Sequence, residues 1–368
     1  MNQIKKMKTD VAIIGAGPAG LAAAIEVAKL GANVILIDEN NKPGGQLIKQ
    51  IHKFFGSSRH MAGTRGINIA EKLVNECKEY GVKLFLNTIA YGIFHEHFIG
   101  ILYKNKNFII DAKKIIFATG ALENFIPFKG WTLPGVMGAG AFQTMMNLHR
   151  VLPGKKMLMI GAGNVGLIVS FQAIQSGVKV ISVVEALPKI SGYLVHAAKL
   201  LRLGIPILTS HTIKEVYGKN KVEGAVITEI DQKGKMIPGT EKKLSVDTIC
   251  VSVGLSPLAE LAWMAGCKFS YLKELGGFIP IHDCNMRTSK KDIYIAGDIS
   301  GIEEASTAIE EGRLAGCSVA EDLSFLSKEE IKNIKKELVD SLCSLRCGPF
   351  GETRRMLKEK IVNMYDQV

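Results

Sequence analysis

Two short apolar runs, Val11 to Ile14 and Met157 to Ile160, each stand directly before a glycine-rich turn and read as parallel strands buried on both faces. Behind each turn lies an Ala- or Val-rich segment ending at a glycine suited to close a helix, Gly31 and Gly177. A further apolar run then ends in an acid, Asn33 to Asp38 and Val178 to Glu185. The pattern predicts two βαβ units. Lys113 to Gly120 and Thr248 to Gly254 read as buried strands ending in small-residue turns, where the chain passes between domains. Ile293 to Asp298 reads as a strand ending in Gly-Asp, with a helix from about Ala305 to Leu323 after it. Between Leu326 and Leu342 the Lys/Glu-rich, Leu/Ile-spaced pattern predicts an exposed amphipathic helix. Met157 to Val178 carries 22 residues without a charge, enough to span a bilayer, but glycines, serines, glutamines and Asn164 interrupt it. It reads as strand, turn and helix, and no membrane insertion is expected.

The turns repeat each other. Gly15-Ala16-Gly17-Pro18-Ala19-Gly20 recurs 146 residues later as Gly161-Ala162-Gly163-Asn164-Val165-Gly166, and an acid follows 21 or 22 residues after the second glycine. The first glycine permits the tight turn, the second lets backbone approach a pyrophosphate, and the third lets helix and strand pack closely. The helix N-terminus offers free N–H groups and a positive dipole end. The acid accepts hydrogen bonds from ribose hydroxyls. Two dinucleotide sites are therefore expected.

Length and composition narrow the setting. At 368 residues the chain exceeds one core, and 47% apolar with 22% charged residues describes a folded globular protein. The net charge of +11 comes from dispersed Lys without a basic run, and Glu321 to Val368 balances nine acids against nine bases, so no nucleic-acid partner is expected. Seven cysteines without a tight framework fit reduced thiols, and no cleavage-site pattern follows the Lys-bearing start, so the expected location is cytoplasmic.

Six motifs in order resemble the two-dinucleotide-binding-domain flavoproteins, the pyridine nucleotide-disulfide oxidoreductase superfamily, over about residues 8 to 322. They are GAGPAG at Gly15 to Gly20, PGGQL at Pro43 to Leu47, FATG at Phe117 to Gly120, GAGNVG at Gly161 to Gly166, VGLSP at Val253 to Pro257 and IYIAGD at Ile293 to Asp298. The resemblance implies an α/β fold of two Rossmann-like domains, with an NAD domain (134–273) inserted in an FAD domain (1–133 and 274–322) and a helical tail (323–368). It implies that Gly15, Gly17 and Gly20, with Pro18 and Ala19 between them, line the FAD pyrophosphate, that Asp38 or Glu39 holds the adenosine ribose, and that Gly45, Gln46, Thr119 and Gly120 pass near the flavin. Gly297 and Asp298 would meet the ribityl chain, although an acid capping the next helix would look similar. Gly161, Gly163, Asn164, Gly166 and Glu185 would hold the nicotinamide nucleotide.

The thiol pair of the family's disulfide reductases is missing. Its positions in thioredoxin reductases fall on Ala139 and Phe142, no C-x-x-C occurs, and disulfide reduction is not expected. Pro43 to Gly66, GNVGLIVS and GIEEAS look more like the flavoprotein subunits of amino-acid and amine dehydrogenases and oxidases: sarcosine oxidase α, opine oxidase A, hydrogen cyanide synthase B and archaeal L-proline dehydrogenase α. That resemblance implies iron–sulfur or second flavoprotein subunits as partners. Cys343 and Cys347 are too few to enclose a cluster, and read either as partial metal ligands or as spare thiols; no metal site is assigned.

Glu185, with no Arg until Arg202, would repel a 2′-phosphate and favour NADH over NADPH. Lys49, His52, Lys53, Phe54, Phe55, Arg59, His60 and Arg65 read either as a lid or acidic-partner surface, or as a solvated loop with both phenylalanines in the core. Gln46 and His52 are the catalytic candidates. The expected function is electron transfer between NAD(H) and flavin and on to or from a partner subunit. The alternatives are a stand-alone NADH oxidase and a chain that binds its nucleotides structurally.

Overall fold

The computed structural model describes residues 5–95 and 97–367. The chain forms two compact units, Met1–Leu122 with Ser256–Val368, and Glu123–Leu255. In the first, β1 (Lys5–Ile14) leads through the glycine-rich turn into α1 (Pro18–Lys29) and β2 (Val34–Ile37). Pro18 opens α1 where a missing N–H costs nothing, and Gly31, at φ +91°, closes it, as its position in the sequence predicts. Then come α2 (Gly66–Glu79), β3 (Lys83–Phe85), β4 (Thr88–Phe94), β5 (Phe98–Tyr103), β6 (Lys106–Phe117) and β7 (Ala121–Glu123).

The second unit runs through β8 (Val136–Gly138), α3 (Ala139–Asn147), β9 (Lys156–Ile160), α4 (Asn164–Gln175), β10 (Lys179–Val184), α5 (Leu194–Arg202) and β11 (Ile207–Leu208). It continues through β12 (His211–Tyr217), β13 (Gly224–Glu229), β14 (Lys242–Leu244) and β15 (Thr248–Val251). The uncharged stretch from Met157 is thus strand, turn and helix. β8 to β11 and β15 make a parallel sheet in the order β11-β10-β9-β15-β8, and β12 to β14 an antiparallel one. No helix of the described residues is long and apolar enough to cross a membrane.

After β16 (Leu255–Pro257) the chain adds α6 (Glu260–Met264), β17 (Phe269–Leu272), β18 (Gly277–Pro280), β19 (Ile293–Ile295), α7 (Ala305–Asp322), α8 (Lys328–Leu345) and α9 (Gly348–Tyr365). The first unit's sheet has the order β3-β2-β1-β6-β5-β4, and β19 lies parallel to β6 with Ile295 beside Phe117. β1 runs parallel to both β2 and β6, so its Val11, Ala12 and Ile13 are completely buried. That explains why these strands read as unbroken apolar runs rather than alternating ones.

The units divide earlier than residues 134 and 274. Ile126, Phe128 and Leu133 pack into the second unit's core, while Ala259, Ala262 and Cys267 are buried in the first unit's core well before residue 274. The last two helices belong to the first unit. α8 is amphipathic, but its apolar face is covered: Ile331 and Leu338 are each only 1% exposed.

Candidate functional site

In the first unit the expected residues converge at the C-terminal ends of the parallel strands. Gly15 turns at φ +105°, and a Cβ there would stand 2.1 Å from the Ala118 carbonyl oxygen. A Cβ on Gly20 would fall 1.8 Å from the Gly15 oxygen, so strand and helix meet only because both are glycine. Ala118 precedes Thr119, whose hydroxyl donates to the Leu258 carbonyl, and Gly120 O accepts from Leu258 N at 3.0 Å. Gly45 abuts the turn, since its Cβ would lie 2.7 Å from Gly17 Cα, and a Cβ on Gly297 would lie 2.9 Å from that of Ala19.

Asp38, at the end of β2, is buried and accepts from Ala16 N at 2.7 Å and from Asn40 N and Nδ2 at 2.8 and 2.9 Å. Its carboxylate therefore fixes the turn as well as standing beside it. Glu39 and Gln46 are exposed.

The second unit repeats this geometry in detail. Gly161 also turns at φ +105°, its Cβ would stand 1.9 Å from Ser252 O, and a Cβ on Gly166 would stand 2.2 Å from Gly161 O. Glu185 takes the place of Asp38, accepting from Ala162 N at 2.9 Å, Leu187 N at 3.0 Å and Ser191 Oγ at 2.9 Å. Asn164 Oδ1 accepts from Tyr193 N at 2.8 Å, and Gly163 caps α4 with backbone alone.

A nucleotide diphosphate is acceptor-only, so it needs helix N–H groups that nothing else occupies. Neither α1 nor α4 has a side-chain cap or an acid in its first turn, and a cradle of this kind suits the pyrophosphates of FAD and of a nicotinamide nucleotide. α3 is the opposite case. Glu123 accepts from Gly140 N at 2.7 Å and Ala141 N at 3.3 Å, filling that helix N-terminus with a carboxylate.

This contrast bears on the missing thiols. Ala139 and Phe142, at the positions where a redox pair would stand, are fully buried core residues. A thiolate at a helix N-terminus is stabilised by free N–H groups, and here those groups are taken. Cys250 in the same unit is buried beside Glu123, and both effects hold its thiol well above the ordinary range. Burial, followed by the charge of a nearby glutamate, pushes Cys77 and Cys317 up to about 12. Cys250 and Cys317 are buried in the core. Cys284, Cys343 and Cys347 are exposed, and Cys347 Sγ, at the junction of α8 and α9, donates to Cys343 O at 3.0 Å.

The Gly-Asp motif forms a 3₁₀ turn, Gly297–Ser300, between β19 and α7. Burial raises the Asp298 carboxyl to about 6, against the opposing pull of a backbone hydrogen bond from Glu303. Under this turn lies an ionic cluster that no motif announces: Glu311 from α7, Glu303, Arg346 at the end of α8 and Lys358 from α9. Burial alone would raise the Glu311 carboxyl, but the attraction of Lys358 and Arg346, with hydrogen bonds from Lys358 and Ser300, outweighs it and holds the group below the usual carboxylate range.

The mixed loop after Asp38 divides between the readings made of it. Phe54 packs on the core, whereas Phe55 is 53% exposed. The His52 ring stacks on that of Phe54 with centroids 6.0 Å apart. Arg59 and His60 are engaged by α8 of the same chain, through Glu337 O at 3.2 Å and Ser341 Oγ at 3.0 Å. That part of the loop is hydrogen-bonded to the chain's own tail, although Arg59 stays exposed.

Known proteins resemble this chain over most of its length. Opine oxidase A of Agrobacterium tumefaciens is 28% identical over 87% of this chain and 67% of its own length. The HcnB component of hydrogen cyanide synthase from Pseudomonas aeruginosa is 27% identical over 83% of this chain and 70% of its own length. Sarcosine oxidase α of Rhizobium meliloti is 25% identical over 84% of this chain, which spans 29% of that protein. L-proline dehydrogenase from P. horikoshii superposes with a TM-score of 0.70 at 25% identity, covering 92% of this chain and 60% of that one. Thioredoxin reductase from T. acidophilum, at 22% identity and a TM-score of 0.69, shares the fold over 86% of this chain and 99% of its own. The pyridine nucleotide-disulphide oxidoreductase model matches residues 9–312, and the chain belongs to that family.

Proposed function

We propose that this chain is an FAD-dependent oxidoreductase component in which two electrons pass between NADH and flavin and on to or from a partner subunit of an amino-acid or amine dehydrogenase complex. The observation that carries the reading is the contrast among three helix N-termini. Two are open above glycine turns with an acid alongside, and the third, where a disulfide reductase of this fold needs its thiols, is closed by Glu123. Relatives named as subunits of opine oxidase, hydrogen cyanide synthase and sarcosine oxidase support a partner of this kind.

In this reading Gly15, Gly17 and Gly20 and the first turn of α1 hold the FAD pyrophosphate, with Asp38 at the ribose and Asp298 at the ribityl chain. Asp38 rather than Glu39 takes that role, because it already stands against the turn. Gly161, Gly163, Asn164 and Gly166 hold the nicotinamide nucleotide, and Glu185 meets its ribose. Flavin, when bound, supplies acceptance and return of a hydride; the protein binds, orients and excludes water. Gln46 and His52 remain the catalytic candidates.

Purification from the native cell tests the partner, together with NADH oxidation by the isolated chain with and without a dye. A copurifying iron–sulfur or second flavoprotein component is expected, with dye-dependent turnover by the isolated chain. Rapid oxygen-linked turnover by a chain that copurifies with nothing would establish the stand-alone oxidase instead.

A further inference from the structure

Lys358 is 4% exposed and lies 46 residues beyond the end of the family match, and a buried ammonium is costly unless every proton is satisfied. Here all are: Nζ donates to Ser300 O at 2.9 Å, Ser300 Oγ at 2.7 Å and Glu311 Oε1 at 2.8 Å. The other Glu311 oxygen accepts from Gly297 N at 3.0 Å and Ser300 Oγ at 2.7 Å. Both ends of the Gly297–Ser300 turn are thus tied to one carboxylate and one ammonium. Arg346 completes the cluster, with Nη2 2.5 Å from Glu311 and 2.6 Å from Glu303. Two acids face two bases.

The rest of α9 is built to aim this side chain. Ile361 is fully buried against Leu272, Leu275 and Ile279, with Leu357 packed alongside. Arg354, one turn before Lys358, grips both oxygens of Glu304 at 2.7 and 2.8 Å. Arg354, Lys358 and Ile361 share one helix face by their spacing, so the apolar contact and the two cationic contacts fix its rotation together.

We infer that α9 is a working part of the flavin site, and that Lys358 is a positioning residue holding the Gly297–Ser300 turn so that Asp298 presents its carboxylate to FAD. This rests on the proposal that the turn receives the ribityl chain. The Asp298 carboxyl is carried by that turn, so its placement follows whatever fixes the turn. Loss of the Lys358 bridge removes the ammonium from Ser300 O and Oγ and leaves Arg346 as the cation beside Glu311, so the turn is held by the Glu311 carboxylate alone.

The test compares the full-length Lys358→Met, Lys358→Arg and Glu311→Gln proteins with wild type. Arg287→Met is the control, since Arg287 binds Asp322 and Glu321 away from this turn. Apoprotein is titrated with FAD by fluorescence quenching, apoprotein stability is measured by urea, and amide exchange is followed at Gly297. Lys358→Met is expected to weaken FAD binding roughly 10-fold or more, the scale of a lost charged hydrogen bond, and to speed exchange at Gly297. Glu311→Gln, which weakens the same bridge from its other side, shifts both readouts in the same direction. Lys358→Arg recovers part of the affinity. Arg287→Met lowers stability with FAD affinity unchanged. The inference is overturned if Lys358→Met and Arg287→Met lose stability alike and both bind FAD as wild type does. Should wild type itself fail to bind FAD, the proposed function falls, and the exchange rate at Gly297 alone judges the clamp: faster in Lys358→Met upholds it, unchanged overturns it.

Discussion

Replacing Asp298 with Asn separates the stability of the fold from the chemistry of the turn. Burial lifts this carboxyl from 3.8 to about 6 in the folded chain, so the folded state holds its proton where the unfolded chain has released it. Stability contributed by the neutral form is complete below about pH 3.8 and is lost as pH rises through about 6. A shift of this size corresponds to about 3 kcal/mol, so the folded apoprotein carries a strained charge of that order at neutral pH. Asn reproduces the neutral form. Urea denaturation of apo wild type and apo Asp298→Asn at a series of pH values should therefore give curves that coincide near pH 4 and diverge to about 3 kcal/mol, in favour of the variant, above pH 6. FAD should reverse the order, because ribityl hydroxyls donate to a carboxylate and hold it ionised. Wild-type affinity for FAD is then expected to rise with pH up to about 6 and level off, and the Asn variant to bind more weakly with no such rise. Parallel stability curves for the two proteins across this range would refute the buried-charge argument. An Asn variant that binds FAD as tightly as wild type would refute the role at the ribityl chain.

Glu185→Ala or Glu185→Arg should lower the preference for NADH over NADPH, read from the ratio of kcat/KM values. Because Ala162 N, Leu187 N and Ser191 Oγ all donate to Glu185, the Ala variant should also lose about 1–3 kcal/mol of stability. A wild type that prefers NADPH, or binds neither nucleotide, would end the hydride role of the second unit. NADH-dependent reduction of thioredoxin or an aromatic disulfide reagent should be absent beside a working dye-linked control. Turnover that disappears in Cys284→Ser or Cys317→Ser would reinstate a disulfide reductase.

What the sequence made legible is what local spacing encodes. Gly20 and Gly166 serve contacts made within one strand–turn–helix and Gly15 and Gly161 turn that same loop at positive φ, so six residues suffice to announce the geometry, and the acids follow at the length of one helix and strand. Glu311 and Lys358 gave no such signal, because they lie 47 residues apart and neither belongs to a spaced motif. The tail beyond Leu342 gave no signal for the same reason: its charges are polar letters until Arg346 and Lys358 meet buried acids. Glu123 was hidden in a different way, since capping α3 from 17 residues upstream depends on a loop whose path no periodicity describes. The division between units shifted because it follows burial of Phe128 and Ala262, small details of packing rather than of pattern. Of the two neighbouring phenylalanines in the mixed loop, only Phe54 found the core, a choice that period-free loop sequence does not make.

The central claim, that this chain passes electrons between a nicotinamide nucleotide and its own flavin, is tested most directly by anaerobic titration of the purified protein with NADH while the flavin absorbance is followed. The account predicts a yellow protein that releases FAD on denaturation and whose visible band bleaches stoichiometrically with NADH, more readily than with NADPH. A colourless protein that cannot be reconstituted with FAD, or a bound flavin that stays oxidised in the presence of excess NADH, would contradict it.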